Sequence, residues 1–273
     1  MRRPWLSPSK ELLTCTTARS VIFEIYSPRH CGVPQLPSAT TADRSSLVPA
    51  GVCAAACIVL VGALLLDHDA VAAVAKLVAS SAFVFLAISA GALASRYGSI
   101  VLAGLVLSWF GDAFLIGTAR PWFLLGLSSF LLAHVAYTTA FVSLGIARHW
   151  TLAAAFPFLA IAVGVLLWLN PFVPEELMWP VRFYTAVISL MVITAFGALG
   201  AGATPLIAVG ACLFFLSDLS VAALRFTGTS VPTYVLGLPL YYAAQICFAY
   251  STAASSNRGP STARRRNVPP GSR

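Results

Sequence analysis

From Leu47 onward the chain is a close succession of apolar runs, and this restricts the fold more than any other feature of the sequence. The runs are Leu47 to Leu66, Ala70 to Ala90, Ser99 to Gly117, Trp122 to Leu144, Trp150 to Leu169, Val181 to Leu199, Pro205 to Leu224 and Tyr234 to Ala254. Each is close to the ~20 residues that a helix needs to cross the hydrocarbon of a bilayer. Backbone N–H and C=O groups cannot stay unpaired there, so runs of this length must be helical. Short polar or Gly/Pro punctuation separates them: Asp67-His68-Asp69, Arg96-Tyr97-Gly98, Ala119-Arg120-Pro121, Arg148-His149, Asn170 to Glu176, Gly200 to Thr204 and Thr227 to Pro232. The expected fold is all-α, a polytopic membrane bundle of about eight transmembrane helices with little room for a soluble domain. Composition agrees: 59% of residues are hydrophobic and 10% charged, against about a quarter charged in soluble domains.

The expected domain plan is a disordered basic tail over 1–46, a membrane domain over 47–254 and a second disordered basic tail over 255–273. The N-terminal tail is rich in Pro, Ser, Thr and Arg without a sustained period. Its one apolar patch, Ser20 to Tyr26, is short and broken by Glu24, so the first membrane helix is expected to serve as the targeting signal. The net charge of +8 comes largely from the tails, including Arg2, Arg3, Lys10, Arg264, Arg265 and Arg266, not from a basic surface interleaved with aromatics, which argues against a nucleic-acid partner. Basic tails favour the cytoplasmic side, and an even number of spans puts both there. Arg96 and Arg148 would then lie inside and Arg120, Arg182 and Arg225 outside. Abundant Ala, Arg and Gly fit a GC-rich bacterial genome, so the expected location is a bacterial plasma membrane. The six cysteines form no CxxC, and four of them sit in apolar runs, where a thiol behaves as a small hydrophobe.

The second half of the membrane region can be laid on the first. Leu107-Ser108-Trp109-Phe110-Gly111-Asp112 resembles Leu213-Phe214-Phe215-Leu216-Ser217-Asp218, and a Pro-x-x-x-Leu-Gly-Leu stretch follows each, from Pro121 and from Pro232. The same offset places His134 opposite Gln245. The halves would be parallel four-helix repeats about an axis along the membrane normal. Apolar sequence also aligns with itself by chance.

Only Asp112 and Asp218, of the nine acidic residues, fall inside apolar spans. A carboxylate at such a depth costs several kcal/mol unless paired or hydrated, so both are expected to face the bundle interior. His134 and Tyr137, Tyr184, Tyr241, Tyr242 and Gln245, and Lys76 are the further interior polar candidates, each set spaced to share a helical face. Two carboxyl groups brought together tend to hold one proton between them, an acid and base pair. Plainer roles exist for each: an intramembrane Asp can bond a neighbouring helix, Lys76 can snorkel to the interface, and the tyrosines can belong to an interfacial belt.

The Gly-Asp at Gly111-Asp112, His134-x-x-Tyr137, Ser217-Asp218, the Tyr241-Tyr242-Ala-Ala-Gln245 helix, Lys76 in the second span and Tyr184 in the sixth together resemble the YhhN-like family of membrane proteins, which includes the lysoplasmalogenases. The resemblance covers Leu47 to Ala254 and neither tail. It implies an integral membrane hydrolase that cleaves the vinyl ether bond of a lysoplasmalogen, giving a fatty aldehyde and a glycerophospho-alcohol without a metal or organic cofactor. It implies a lysophospholipid substrate among membrane lipids, and Asp112 and Asp218 as the catalytic acid and base. His134, Tyr137, Tyr184, Tyr242 and Gln245 would orient water or the glycerol, and Lys76 would meet the phosphate or tune the acids. The alternative is a small-solute or lipid transporter, for which paired intramembrane acids are also expected.

Overall fold

The structure, a computed structural model, describes residues 44–229 and 231–256. Eight helices follow one another in these residues: α1 (Arg44–Leu65), α2 (Asp69–Ser89), α3 (Arg96–Phe114), α4 (Arg120–Ser143), α5 (Arg148–Leu169), α6 (Glu175–Gly200), α7 (Pro205–Phe226) and α8 (Tyr234–Ser256). All but α8 are long and apolar enough to cross a membrane. The exception has a local cause: α8 turns Tyr241, Tyr242, Gln245, Ser251 and Thr252 into the interior, and these lower its hydropathy without exposing a polar face. The chain is a multi-pass membrane protein.

Helix ends follow ordinary stereochemistry. The Ser95 hydroxyl caps α3 by accepting from the Gly98 N–H at 3.0 Å. Gly91, at φ +88°, allows the left-handed step into a short 3-10 turn, Ala92–Ala94. Pro121 and Pro205 stand in the first turns of α4 and α7, where the N–H that proline lacks has no helical partner to lose. Six of the eight helices start earlier than the apolar runs indicate, and two of these starts bear on the expected tail and on the longest loop. α1 begins at Arg44, inside the segment expected as tail, and α6 begins at Glu175, not Val181. In α6 the acidic pair Glu175 and Glu176 suits a helix N-terminus, and Pro180 costs one backbone bond without ending the helix. The remainder of both expected tails lies outside the described residues.

Among the packed pairs, α8 touches α1, α2, α3 and α7, which makes it the central post. α5 stands at the edge, packed chiefly on α6, with Ala154, Ala162 and Leu169 its buried residues and Phe156 and Leu167 exposed by 81% and 71%. Cys53 and Cys57 are buried free thiols on α1.

Contacts at several positions match across the proposed repeat. The Tyr137 ring of α4 lies against Gly104 of α3, and the Phe248 ring of α8 lies against Gly210 of α7. The crossed pairs α2 with α8 and α6 with α4 correspond in the same way, whereas the α1 contact with α8 has no comparable partner between α5 and α4. Glycine is needed at these places because an aromatic ring occupies the space of a side chain.

A methyl group at Gly210 would stand 2.7 Å from Phe248 Cε1 and 3.2 Å from the Ala244 carbonyl, whereas one at Gly62 meets nothing within 4 Å. Gly210→Ala should therefore destabilise the bundle by about 1–3 kcal/mol, and Gly62→Ala should leave it unchanged or slightly raise it. Thermal unfolding in detergent measures both, and equal midpoints would contradict this packing.

Candidate active site

The two intramembrane acids come from different helices and line one cavity of about 210 Å³. Asp112 sits in the last turn of α3 and Asp218 about two turns before the end of α7. Most of the wall is apolar, with Leu127, Phe130, Val165, Leu169, Ile188 and Phe215 among its residues. The volume suits several waters or a slender alkyl segment. Chain direction places the acids, the first turns of α4 and α8 and the last turn of α7 toward one membrane face, opposite the start of α1.

Asp112 is nearly inaccessible, at 3% exposure. Its Oδ2 accepts from the Ser80 hydroxyl of α2 at 2.5 Å and from the Tyr241 hydroxyl of α8 at 2.7 Å. Lys76, one turn before Ser80, has no carboxylate within 4 Å among the described residues, and its side chain lines the cavity.

Asp218 keeps 18% side-chain exposure. Its Oδ2 accepts from the Tyr184 hydroxyl of α6 at 2.6 Å and stands 3.6 Å from Nε2 of the fully buried His134 on α4. His134 Nδ1 is 2.6 Å from the Phe130 carbonyl oxygen. A carbonyl can only accept, so Nδ1 carries a hydrogen, and Nε2 is turned toward Asp218. That nitrogen has no hydrogen-bond partner among the described residues, a rare condition for a buried polar atom.

The other sequence candidates stand behind this wall. Tyr137 donates to Gln245 Oε1 at 2.8 Å and lies 3.3 Å from the Ser108 hydroxyl, a cluster in the core between α3, α4 and α8. Gln245 Nε2 is buried without a partner. Tyr242 donates to the Lys76 carbonyl at 3.4 Å, a long contact that ties α8 to α2. Thus Lys76, Tyr184, Asp112 and Asp218 meet in the cavity together with Tyr241, while His134, Tyr137, Tyr242 and Gln245 do not line it. Ser80 was missed by sequence reasoning. Its signal was present: it follows Lys76 by four residues, on the same face of α2.

Comparison with known proteins identifies relatives of the chain. The model of the YhhN family matches residues 70–252. The chain is 32% identical over 161 residues to lysoplasmalogenase TMEM86A of Bos taurus, a match covering 57% of this chain and 65% of that protein. It is 34% identical over 170 residues to lysoplasmalogenase TMEM86A of Homo sapiens, covering 60% and 69%. The chain thus spans slightly less than two thirds of the bovine relative. No solved structure matches significantly.

Loss of the Tyr241 hydroxyl leaves a buried carboxyl with one donor fewer. Tyr241→Phe should cost about 1–3 kcal/mol of stability in the wild-type background and distinctly less in an Asp112→Ala background. A double-mutant cycle by thermal unfolding reads the coupling; strictly additive losses would mean the bond contributes nothing.

Proposed function

The chain belongs to the YhhN family, and we propose that it is an integral membrane hydrolase of ether lipids that cleaves the vinyl ether bond of a lysoplasmalogen. The products are a fatty aldehyde and a glycerophospho-alcohol. The observation that carries this reading is the meeting of Asp112 and Asp218 in one largely apolar cavity. The names of the two relatives point to the same bond.

A vinyl ether is hydrolysed when an acid protonates the alkenyl carbon beyond the ether carbon, which leaves an oxocarbenium ion for water to capture. Asp218 is assigned as the acid, because Nε2 of His134 stands 3.6 Å from its carboxyl and the pair can hold one proton between them for donation. Asp112 is assigned as the ionised partner, since two hydroxyl groups, of Ser80 and Tyr241, converge on one of its oxygens. In the first step the Asp218 proton forms the new C–H bond and its electrons remain on the carboxylate. The cation is stabilised by Asp112, which takes a proton from water as water adds to the ether carbon. In the second step the hemiacetal hydroxyl returns a proton to Asp218, the C–O bond breaks, and the glycerol oxygen takes the proton held by Asp112. Both acids end as they began, and one water has been consumed.

Tyr184 and Tyr241 hold the two carboxyl groups at fixed angles in the wall, and His134 is a positioning residue acting through Asp218. Tyr137, Tyr242 and Gln245 are assigned to the support of α8 against its neighbours. With the termini on the cytoplasmic side of a bacterial plasma membrane, as the basic tails favour, the cavity would be reached from the opposite face.

Purified protein given a 1-alkenyl lysophospholipid in detergent should release aldehyde. Asp112→Asn and Asp218→Asn should each lower kcat by a factor on the order of 10²–10⁴, with an unfolding midpoint close to wild type. A folded wild type that releases none would reject the substrate and favour a lipid or solute carrier built on the same acids.

A further inference from the structure

Two residues lining the cavity are cationic, and the structure uses them differently. Lys76 lines the cavity with Asp112, one helical turn before the Ser80 that donates to that carboxyl. Arg225, exposed in the last turn of α7, lines the outer part of the cavity. Among the described residues no carboxylate lies within ion-pair distance of it. Its guanidinium is instead laid over the Phe123 ring of α4, with Cζ 4.6 Å from the ring centroid. A guanidinium held by its face keeps its N–H edge for another partner, and that planar fork fits two oxygens of a phosphate.

We propose that Arg225, braced on Phe123, is the subsite for an anionic phosphate carried on glycerol, the headgroup of a single-chain lipid whose tail enters the cavity. The assignment rests on the proposed function for the identity of the bond placed at the acids. Arg225 follows Asp218 by seven residues on one helix, a rise of about 10 Å. Between an ether oxygen on the first glycerol carbon and a phosphorus on the third, an extended glycerol spans roughly 6 Å at ordinary bond lengths, and the arginine side chain covers the remainder. A lipid whose ether bond lies between Asp112 and Asp218 therefore carries its phosphate to the level of Arg225. Lys76, two turns into α2, lies deeper than that level, so the phosphate goes to Arg225 and Lys76 keeps the other role expected of it, beside the acids.

An arginine in a last turn can also serve only the helix dipole or snorkel to the interface. Those roles would alter stability without altering ligand preference. The test uses the whole protein in nanodiscs and measures the binding of two uncleavable ligands, a 1-O-alkyl-glycerophosphocholine and the matching 1-O-alkylglycerol, with glycerol 3-phosphate as the free-phosphate control. The wild type should prefer the phospholipid by roughly tenfold, as expected of a charge-assisted bidentate contact. Arg225→Gln should reduce the preference to near unity while alkylglycerol binding holds, and Arg225→Lys should keep part of it. An unchanged preference in Arg225→Gln overturns the subsite, as does a loss shared equally by both ligands. Glycerol 3-phosphate binding as tightly as the phospholipid overturns the headgroup assignment in favour of a free phosphate. Aldehyde release is read separately: its absence with the Arg225-dependent preference intact rejects the hydrolase reading and supports the subsite, and its presence with an Arg225-independent preference does the reverse.

Discussion

A carboxyl group inside a helical bundle in a membrane has no bulk water to solvate it, and the cost of placing it there is several kcal/mol unless the protein supplies donors or a proton. Two such groups fix much of this architecture. Asp112 obtains hydroxyls from Ser80 on α2 and Tyr241 on α8. Asp218 obtains a hydroxyl from Tyr184 on α6 and faces His134 on α4. Six helices are thereby held in register by two side chains, and α8 must carry enough polar residues to fall below its neighbours in hydropathy. The aromatic rings that pack beside these groups leave room only for glycine at Gly104, Gly111 and Gly210.

The pattern of donors has a symmetry with a purpose. Each acid is served by the helix preceding its own, α2 for Asp112 and α6 for Asp218, and by the last helix of the opposite half, α8 and α4 in turn. Neither half completes its own acid, so the two sites exist only when the halves are packed together. The equivalent positions then diverge in chemistry. One acid meets two hydroxyls, and the other meets a hydroxyl and an imidazole nitrogen. Two carboxyl groups in symmetric surroundings would have no reason to take opposite roles; these have one.

Much of this was legible in the sequence because the bilayer imposes a simple code. Length and apolarity marked eight helices, the rarity of intramembrane acids singled out Asp112 and Asp218, and their motif neighbours suggested a repeat. The readings that departed from the structure share a cause. Helix starts at Arg44 and Glu175 were hidden because polar residues in a first turn look like loop, although unpaired N–H groups there suit them. Ser80 looked like an ordinary small residue of an apolar helix, since only its distance to Asp112 distinguishes it. Tyr137, Tyr242 and Gln245 share helical faces with functional groups, yet periodicity cannot separate a cavity wall from the core just behind it. Arg225 was assigned to a loop-side charge balance, because its relation to Phe123 and to the cavity depends on the packing of α4 against α7 and α8.

The cavity grades from apolar depth through a pair of acids to a cation at its rim, and this order matches the order of parts in a single-chain ether lipid. The chain can remain among Leu, Val and Phe side chains, so its burial is not lost on entry. On the proposed function, the bond to be broken would reach the acids before the headgroup had left the interface, and the headgroup would meet the exposed guanidinium of Arg225. Placing the acids near one face, and not at the membrane midplane, has a second consequence. In the proposed reaction water would have only a short path to the reacting carbon, while the apolar wall would keep its supply small, so that the two carboxyl groups would act on substrate charge at low dielectric. A deeper site would have strengthened those interactions but stranded both the water and the phosphate; a shallower one would have hydrated the acids and removed the contrast between them.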